Sequence, residues 1–158
     1  MAVHSETQIP LSWSLASKQD VRLQIGALCY RVVHDKPEIL LITSRETRRW
    51  IIPKGWPMQG QSLAQAARTE AWEEAGVEGK SFDRLLGMYG YQKKMEGGPP
   101  LHCIVSLYPV KVKRLADDFP EAGQRKRKWF SPKKAAAKVN EGELARILKD
   151  FDPRRLRR

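Results

Sequence analysis

The segment from Gly55 to Val77 constrains this chain more than any other, because it marks where a helix begins, where it ends and what one face of it carries. Ser62 followed three residues later by Gln65 is a capping box, Leu63 opens an apolar stripe, and Gly76 after Ala75 supplies a left-handed stop. Between these signals Glu70, Glu73 and Glu74 fall at spacings of three and four, which gathers three carboxylates on one patch of helix surface. No cation shares that patch. The residues three and four before Glu70 are Ala67 and Ala66, those before Glu74 are Ala71 and Glu70, and Arg68 points to nearly the opposite side. Like charges at this spacing weaken a helix, and this patch continues the stripe of Leu63, Ala66 and Ala67, a face that otherwise reads as buried. A hard divalent cation with oxygen ligands would neutralise it. Spacing alone leaves a second reading open, a solvated acidic stretch on a surface helix.

The whole segment decides between them. It closely resembles the signature of the Nudix hydrolases, G-x5-E-x7-R-E-U-x-E-E-x-G-U with U an apolar aliphatic residue. Gly55, Glu70, Ala71, Glu73, Glu74, Gly76 and Val77 fall in register, across a loop, a helix and a helix stop. Two positions depart: Gln61 stands where the first Glu belongs, and Thr69 where the Arg belongs. In the family those residues commonly pair and brace the loop against the helix. Here both are neutral, so a polar pair replaces an ion pair and neither charge is stranded.

With 158 residues the chain is most simply one domain, large enough to bury roughly 70% of the surface its unfolded state exposes. A formal charge of +11 suggests an acidic partner, whether polyphosphate, nucleotide or nucleic acid. Cys29 and Cys103 are isolated within apolar runs and fit neither a zinc site nor a disulfide framework, so they read as core thiols. The first residues lack a basic region followed by an apolar run, and no stretch approaches the ~20 apolar residues of a membrane span. A soluble cytoplasmic protein with no membrane partner is the expectation.

Along the chain, residues 1–20 read as a flexible lead-in, residues 21–152 as the domain and residues 153–158 as a basic, solvated tail. Short apolar runs at Leu23–Val33, Ile39–Thr43, Trp50–Ile52, Leu85–Tyr89, His102–Val112 and Arg127–Phe130 read as strands. Lys93–Pro100 has the composition of a mobile loop. Ser131 followed by Pro132 opens a helix, and Glu143 to about Phe151 forms the last one, burying Leu144, Ile147, Leu148 and Phe151. Strands mixed with two substantial helices argue α+β. The resemblance implies more: a Nudix-type α/β/α sandwich with a mixed β-sheet.

It also implies the site. Glu70 and Glu74 look like the principal metal ligands, joined by the carbonyl of Lys54, with Mg²⁺ as the cofactor and Mn²⁺ able to substitute. Glu73 looks like the base that orients or deprotonates water and can also reach the metal, although some family members give the base role to the carboxylate matching Glu70. The frame Ser44-Arg45, Trp50 to Gly55 and Arg125 to Phe130 is similar to the branch of diphosphoinositol polyphosphate and diadenosine polyphosphate phosphohydrolases. By that similarity Arg22, Ser44, Arg45, Lys54, Arg125 and Arg127 are candidate polyphosphate contacts, although Leu23 and Gln24 replace basic residues often found beside Arg22. Gly55 allows close backbone approach, and Trp56 is the better candidate than Tyr89 or Tyr91 to stack a nucleobase. Glu121 reads as a surface-loop acid, with a distal ligand role as the alternative. His4, His34 and His102 are assigned no role. The expected activity is Mg²⁺-dependent hydrolysis of a phosphoanhydride in an anionic phosphorylated small molecule, diphosphoinositol or dinucleoside polyphosphates being favoured. ADP-ribose, an RNA 5′ end, or a Nudix-fold binding module with impaired catalysis are the alternatives. Nucleic acid held by the basic tail is less favoured, since no aromatic residue interleaves it.

Overall fold

The computed structural model describes residues 6–8 and 21–157. Its centre is a pair of long strands, β2 (Val21–Val33) and β8 (Leu101–Leu115), running parallel from Val21↔His102 to Tyr30↔Lys111. The remaining strands add antiparallel. β3 (Lys36–Thr43) returns from β2 through a turn in which His34 and Asp35 both take positive φ, and β4 (Trp50–Ile51) and β9 (Arg127–Phe130) pair with β3. β5 (Lys54–Gly55) pairs with β2, and β6 (Val77–Ser81) and β7 (Gly87–Lys93) pair with β8. All belong to one mixed sheet.

Burial alternates along the central strands and splits the core in two. Ala27, Cys29, Leu40 and Ile42 point to one face, where they pack against helix α1 (Leu63–Ala75). Leu28, Tyr30, Ile39 and Leu41 point to the other, beneath α2 (Pro132–Lys138) and α3 (Gly142–Lys149). This is the α/β/α sandwich, and each cysteine is a free thiol buried in a different half of the core. The face α1 turns to the sheet is made of Ala64, Ala66, Ala67, Ala71 and Ala75. Small side chains let the helix axis approach the sheet closely, and a carboxylate on the flank of that face is carried inward with it.

The capping box forms as the sequence requires: Gln65 N–H donates to Ser62 Oγ at 3.1 Å and Ser62 N–H to Gln65 Oε1 at 2.8 Å. Gly76 closes the helix at φ 67°, its N–H directed at Ala71 O and Trp72 O. Several boundaries differ from the sequence reading. The strand expected at Leu85–Tyr89 begins at Gly87 and runs on to Lys93, and the last helix covers Gly142–Lys149. β6, composed Val-Glu-Gly-Lys-Ser, was not legible because its only apolar side chain is Val77. It pairs because Gly79 presents no side chain to the Lys111 carbonyl. Three α-helices are present among the described residues, including the one opened by Ser131 and Pro132. Within the stretch read as a lead-in, Glu6–Gln8 forms β1 and pairs with β7, Glu6 opposite Lys93. The rest of that stretch, with His4, and the final Arg158 lie outside the described residues. The basic tail begins as a 3-10 turn, Pro153–Arg157, in which Asp152 binds Arg154. Among the described residues no helix is long and apolar enough to cross a membrane.

Candidate active site

α1 delivers Glu70, Glu73 and Glu74 to a cavity of about 330 Å³, whose other walls come from β2, the loop after β3, β5, β7 and the segment before β9. Glu70 is 8% exposed, and its carboxylate lies directly over the backbone of Gly55. A Cβ at Gly55 would fall inside that carboxyl group, so glycine is needed here for space. Glu74 accepts the N–H of Lys54 at 3.3 Å, which binds the start of the box loop to the helix. Lys54 itself is buried and sets its ammonium 5.1 Å from the centre of the Tyr91 ring. Tyr91 in turn donates its hydroxyl to Oε1 of the buried Gln24 at 2.6 Å.

Glu121 enters the same cavity from a loop far along the chain. Its N–H donates to Glu73 O at 3.0 Å, so backbone fixes it against the end of α1. Arg125, four residues on, donates to Glu121 Oε1 through Nε at 3.2 Å and to Thr43 O at 3.2 Å, with its Nη2 4.0 Å from Glu74 Oε2. The electrostatic result is a cluster reluctant to ionise together. Burial, then the charges of Glu74, Glu73 and Glu121, push Glu70 up to about 8 against the pull of Arg125. Burial pushes Glu74 up to about 7, opposed by Arg125 and Lys54.

All-oxygen donors of this kind suit magnesium or manganese. Among the described residues, no three acidic, histidine or cysteine side chains are drawn together tightly enough to make a finished cation cage. The raised affinity of Glu70 and Glu74 for protons is an unmet demand for positive charge, so the residues present fit a hard divalent cation.

The remaining sequence candidates divide. Ser44, Arg45, Lys54, Gly55, Trp56 and Arg125 line the cavity. Ser44 also holds its own turn, accepting Arg49 N–H on Oγ at 3.0 Å, and Arg45 reaches Gln124 Oε1 at 3.4 Å. Arg22 lies exposed on β2 and outside the cavity lining, two residues before Gln24. Arg127 is also outside it: its Nη1 donates to Ala75 O at 3.0 Å and Ala116 O at 2.9 Å, and its guanidinium rests over Phe119. Arg49, which belongs to the basic cluster before Trp50, also lines the cavity, and the residues that sequence reasoning passed over as candidates are Gln24, Glu46 and Lys93, together with Glu121, which it read as a surface acid. The departures from the signature meet each other, with Thr69 Oγ1 3.1 Å from Gln61 Oε1 and also 3.1 Å from Gln65 O. A hydroxyl has one proton, so turning the Gln61 amide to donate to Thr69 satisfies both contacts.

The NUDIX domain family model matches residues 22–151. The chain belongs to the NUDIX family. Enzymes of this Nudix hydrolase family act on pyrophosphate bonds and generally use divalent metal ions. Similar proteins include Nudix hydrolase 12, mitochondrial, of Arabidopsis thaliana, 30% identical over 78% of this chain and 64% of its own length. Human diphosphoinositol polyphosphate phosphohydrolase 3-alpha is 34% identical over 66% of this chain and 61% of its own length. The chain thus spans just under two thirds of these two relatives. Among solved structures, a C. elegans Ap4A hydrolase binary complex superposes with a TM-score of 0.60 at 22% identity, covering 81% of this chain and 93% of that one, which shows the Nudix fold.

Proposed function

We propose that this Nudix hydrolase uses Mg²⁺, with Mn²⁺ able to substitute, to cleave a phosphoanhydride bond in an anionic, polyphosphorylated small molecule. Diphosphoinositol polyphosphates and dinucleoside polyphosphates are the favoured substrates. The observation that carries this reading is the shared cavity: Glu70, Glu73 and Glu74 line it together with Arg45, Lys54 and Arg125. A divalent cation bound there would screen the phosphate oxygens and acidify a water molecule. Glu70 and Glu74, with the Lys54 carbonyl, would hold it. Glu73, half-buried on the same helix flank, would orient water and take its proton. Arg45 contributes positive charge at the rim, where the phosphate chain enters. The hydrogen bond between Thr69 and Gln61 supports turnover, since the box loop remains tied to α1 without the ion pair. The two buried free thiols suit a reducing compartment, and we place the reaction in the cytoplasm.

The test is turnover on diphosphoinositol polyphosphate, diadenosine polyphosphates, ADP-ribose and triphosphorylated RNA with Mg²⁺ or Mn²⁺, products identified, with a folded Glu73→Gln variant beside the wild type. Cleavage of an anhydride that requires the cation and falls by roughly 10²-fold or more in the variant is the expected result. Tight binding with no product under either metal would replace the enzyme with a binding module, and undiminished hydrolysis by Glu73→Gln would remove Glu73 from the chemistry.

A further inference from the structure

The positive charge that marks this chain is not concentrated where the carboxylates are. Residues 111–158 contain sixteen lysines and arginines against seven acids, so they hold nine of the eleven excess charges. The cavity is balanced by comparison: Arg45, Arg49, Lys54, Lys93 and Arg125 are matched by Glu46, Glu70, Glu73, Glu74 and Glu121. Arg125 is moreover committed to Glu121 at 3.1 Å and faces Glu74.

What the cavity offers instead is neutral and planar. Gln24 is 3% exposed on the cavity wall, and its carbonyl oxygen accepts the Tyr91 hydroxyl at 2.6 Å. That contact leaves the amide N–H donors as the part of Gln24 a bound molecule can use. A buried neutral donor suits a hydroxyl or the edge of a heterocycle, and a ligand that fails to meet it leaves a buried polar group unsatisfied. At the rim, Trp56 is 42% exposed, far more than a large aromatic side chain needs for packing, and the Lys93 ammonium lies 5.5 Å from its ring centre. Because that ammonium lies over the ring, a nucleobase that takes its place stacks on the indole and offers the displaced cation a phosphate.

We infer that the site selects nucleoside polyphosphates over densely phosphorylated inositols, the base stacking on Trp56 and a neutral sugar or base group meeting Gln24. The inference rests on the hydrolase reading above and chooses between its two favoured substrate classes. An inositol esterified on nearly every carbon has no π face for Trp56 and no neutral edge for Gln24, and beyond the metal it meets no surplus of cationic side chains over acidic ones.

The test compares kcat/KM on diadenosine tetraphosphate and on a diphosphoinositol polyphosphate for the wild type, Trp56→Ala, Trp56→Phe and Gln24→Arg. The wild type should prefer the dinucleotide. Trp56→Ala should lose roughly 5- to 150-fold more on the dinucleotide than on the inositol substrate, through KM, with Trp56→Phe restoring most of it. Gln24→Arg should move the preference toward the inositol substrate. A wild-type preference for the inositol, or equal losses on both substrates in Trp56→Ala, would overturn the inference while leaving the hydrolase intact. If neither substrate is cleaved, the hydrolase reading fails, and titration of Glu73→Gln with diadenosine tetraphosphate decides this one: binding weakened by Trp56→Ala and kept by Trp56→Phe upholds it, and Trp56-independent binding or none overturns it.

Discussion

Gly55→Ala separates the site from the fold with a single methyl group. A Cβ built on Gly55 lies 2.8 Å from the farther carboxylate oxygen of Glu70 and nearer still to Oε1 and Cδ, whereas ordinary contact begins at 3.4 Å. The obstacle is the end of a side chain, and Gly55 is not among the positive-φ glycines, so the backbone accepts alanine and the carboxylate must move. An off-rotamer glutamate costs about 0.5–1.5 kcal/mol, and losing glycine's freedom in the unfolded chain returns about 0.4–1 kcal/mol. The net change in stability should therefore stay within about 1 kcal/mol. Activity should respond on another scale, because a displacement of about 1 Å in a reacting constellation costs roughly 10²-fold. Urea unfolding and cation-dependent turnover on the same preparation give both numbers. Turnover within twofold of wild type would show that Glu70 need not stand over Gly55, and a loss of more than about 3 kcal/mol in stability would show that the substitution damages the fold instead.

Three further outcomes follow from the same contacts. Glu70 and Glu74 hold their protons to about pH 8 and 7 in the folded protein, above the ordinary carboxylate range. The stability they contribute is present below about pH 4.5 and is lost as pH rises through 7 to 8, so melting in EDTA should fall across that window. Magnesium should offset the fall, releasing protons as it binds; a flat metal-free profile refutes the coupling. Arg127→Ala removes two charge-assisted bonds to Ala75 O and Ala116 O and should cost about 1.5–3 kcal/mol in urea unfolding. A raised KM at unchanged stability would return Arg127 to the substrate. Gly76→Ala places a methyl 2.5 Å from the Phe119 ring at φ 67°, and calorimetry should show a loss of about 2–4 kcal/mol; a loss below about 1 kcal/mol would mean that the cap relaxes freely.

The helix from Leu63 to Ala75 was legible because everything that defines it is local: Ser62 and Gln65 cap each other, and Gly76 stops it. The carboxylate patch was legible for the same reason, one helix turn being enough to gather it. Glu121 was not, because its place depends on a backbone bond to Glu73 O across 48 residues, which no pattern around Glu121 announces. The run Arg125 to Lys128 shows both cases. The family resemblance singled out Arg125 and Arg127, and both are half-buried while Lys126 and Lys128 are exposed. It could not foretell that one faces the cavity and the other clamps the end of α1. β6 was missed because its pairing depends on what Gly79 lacks and on a partner strand more than twenty residues ahead.

The separation of the cationic C-terminal third from a charge-balanced cavity means that attraction and selection obey different variables. Out to ~10 Å, the distance over which salt screens at 0.1 M, the net charge of +11 should attract polyanions of every kind, and ionic strength should govern how many the protein meets. Within the cavity the gathered molecules are sorted by shape and neutral contacts that salt hardly touches. Raising ionic strength should therefore slow capture of every anionic substrate in parallel while leaving their ranking nearly unchanged, and any nucleic acid carried through a low-salt purification would say nothing about the reaction.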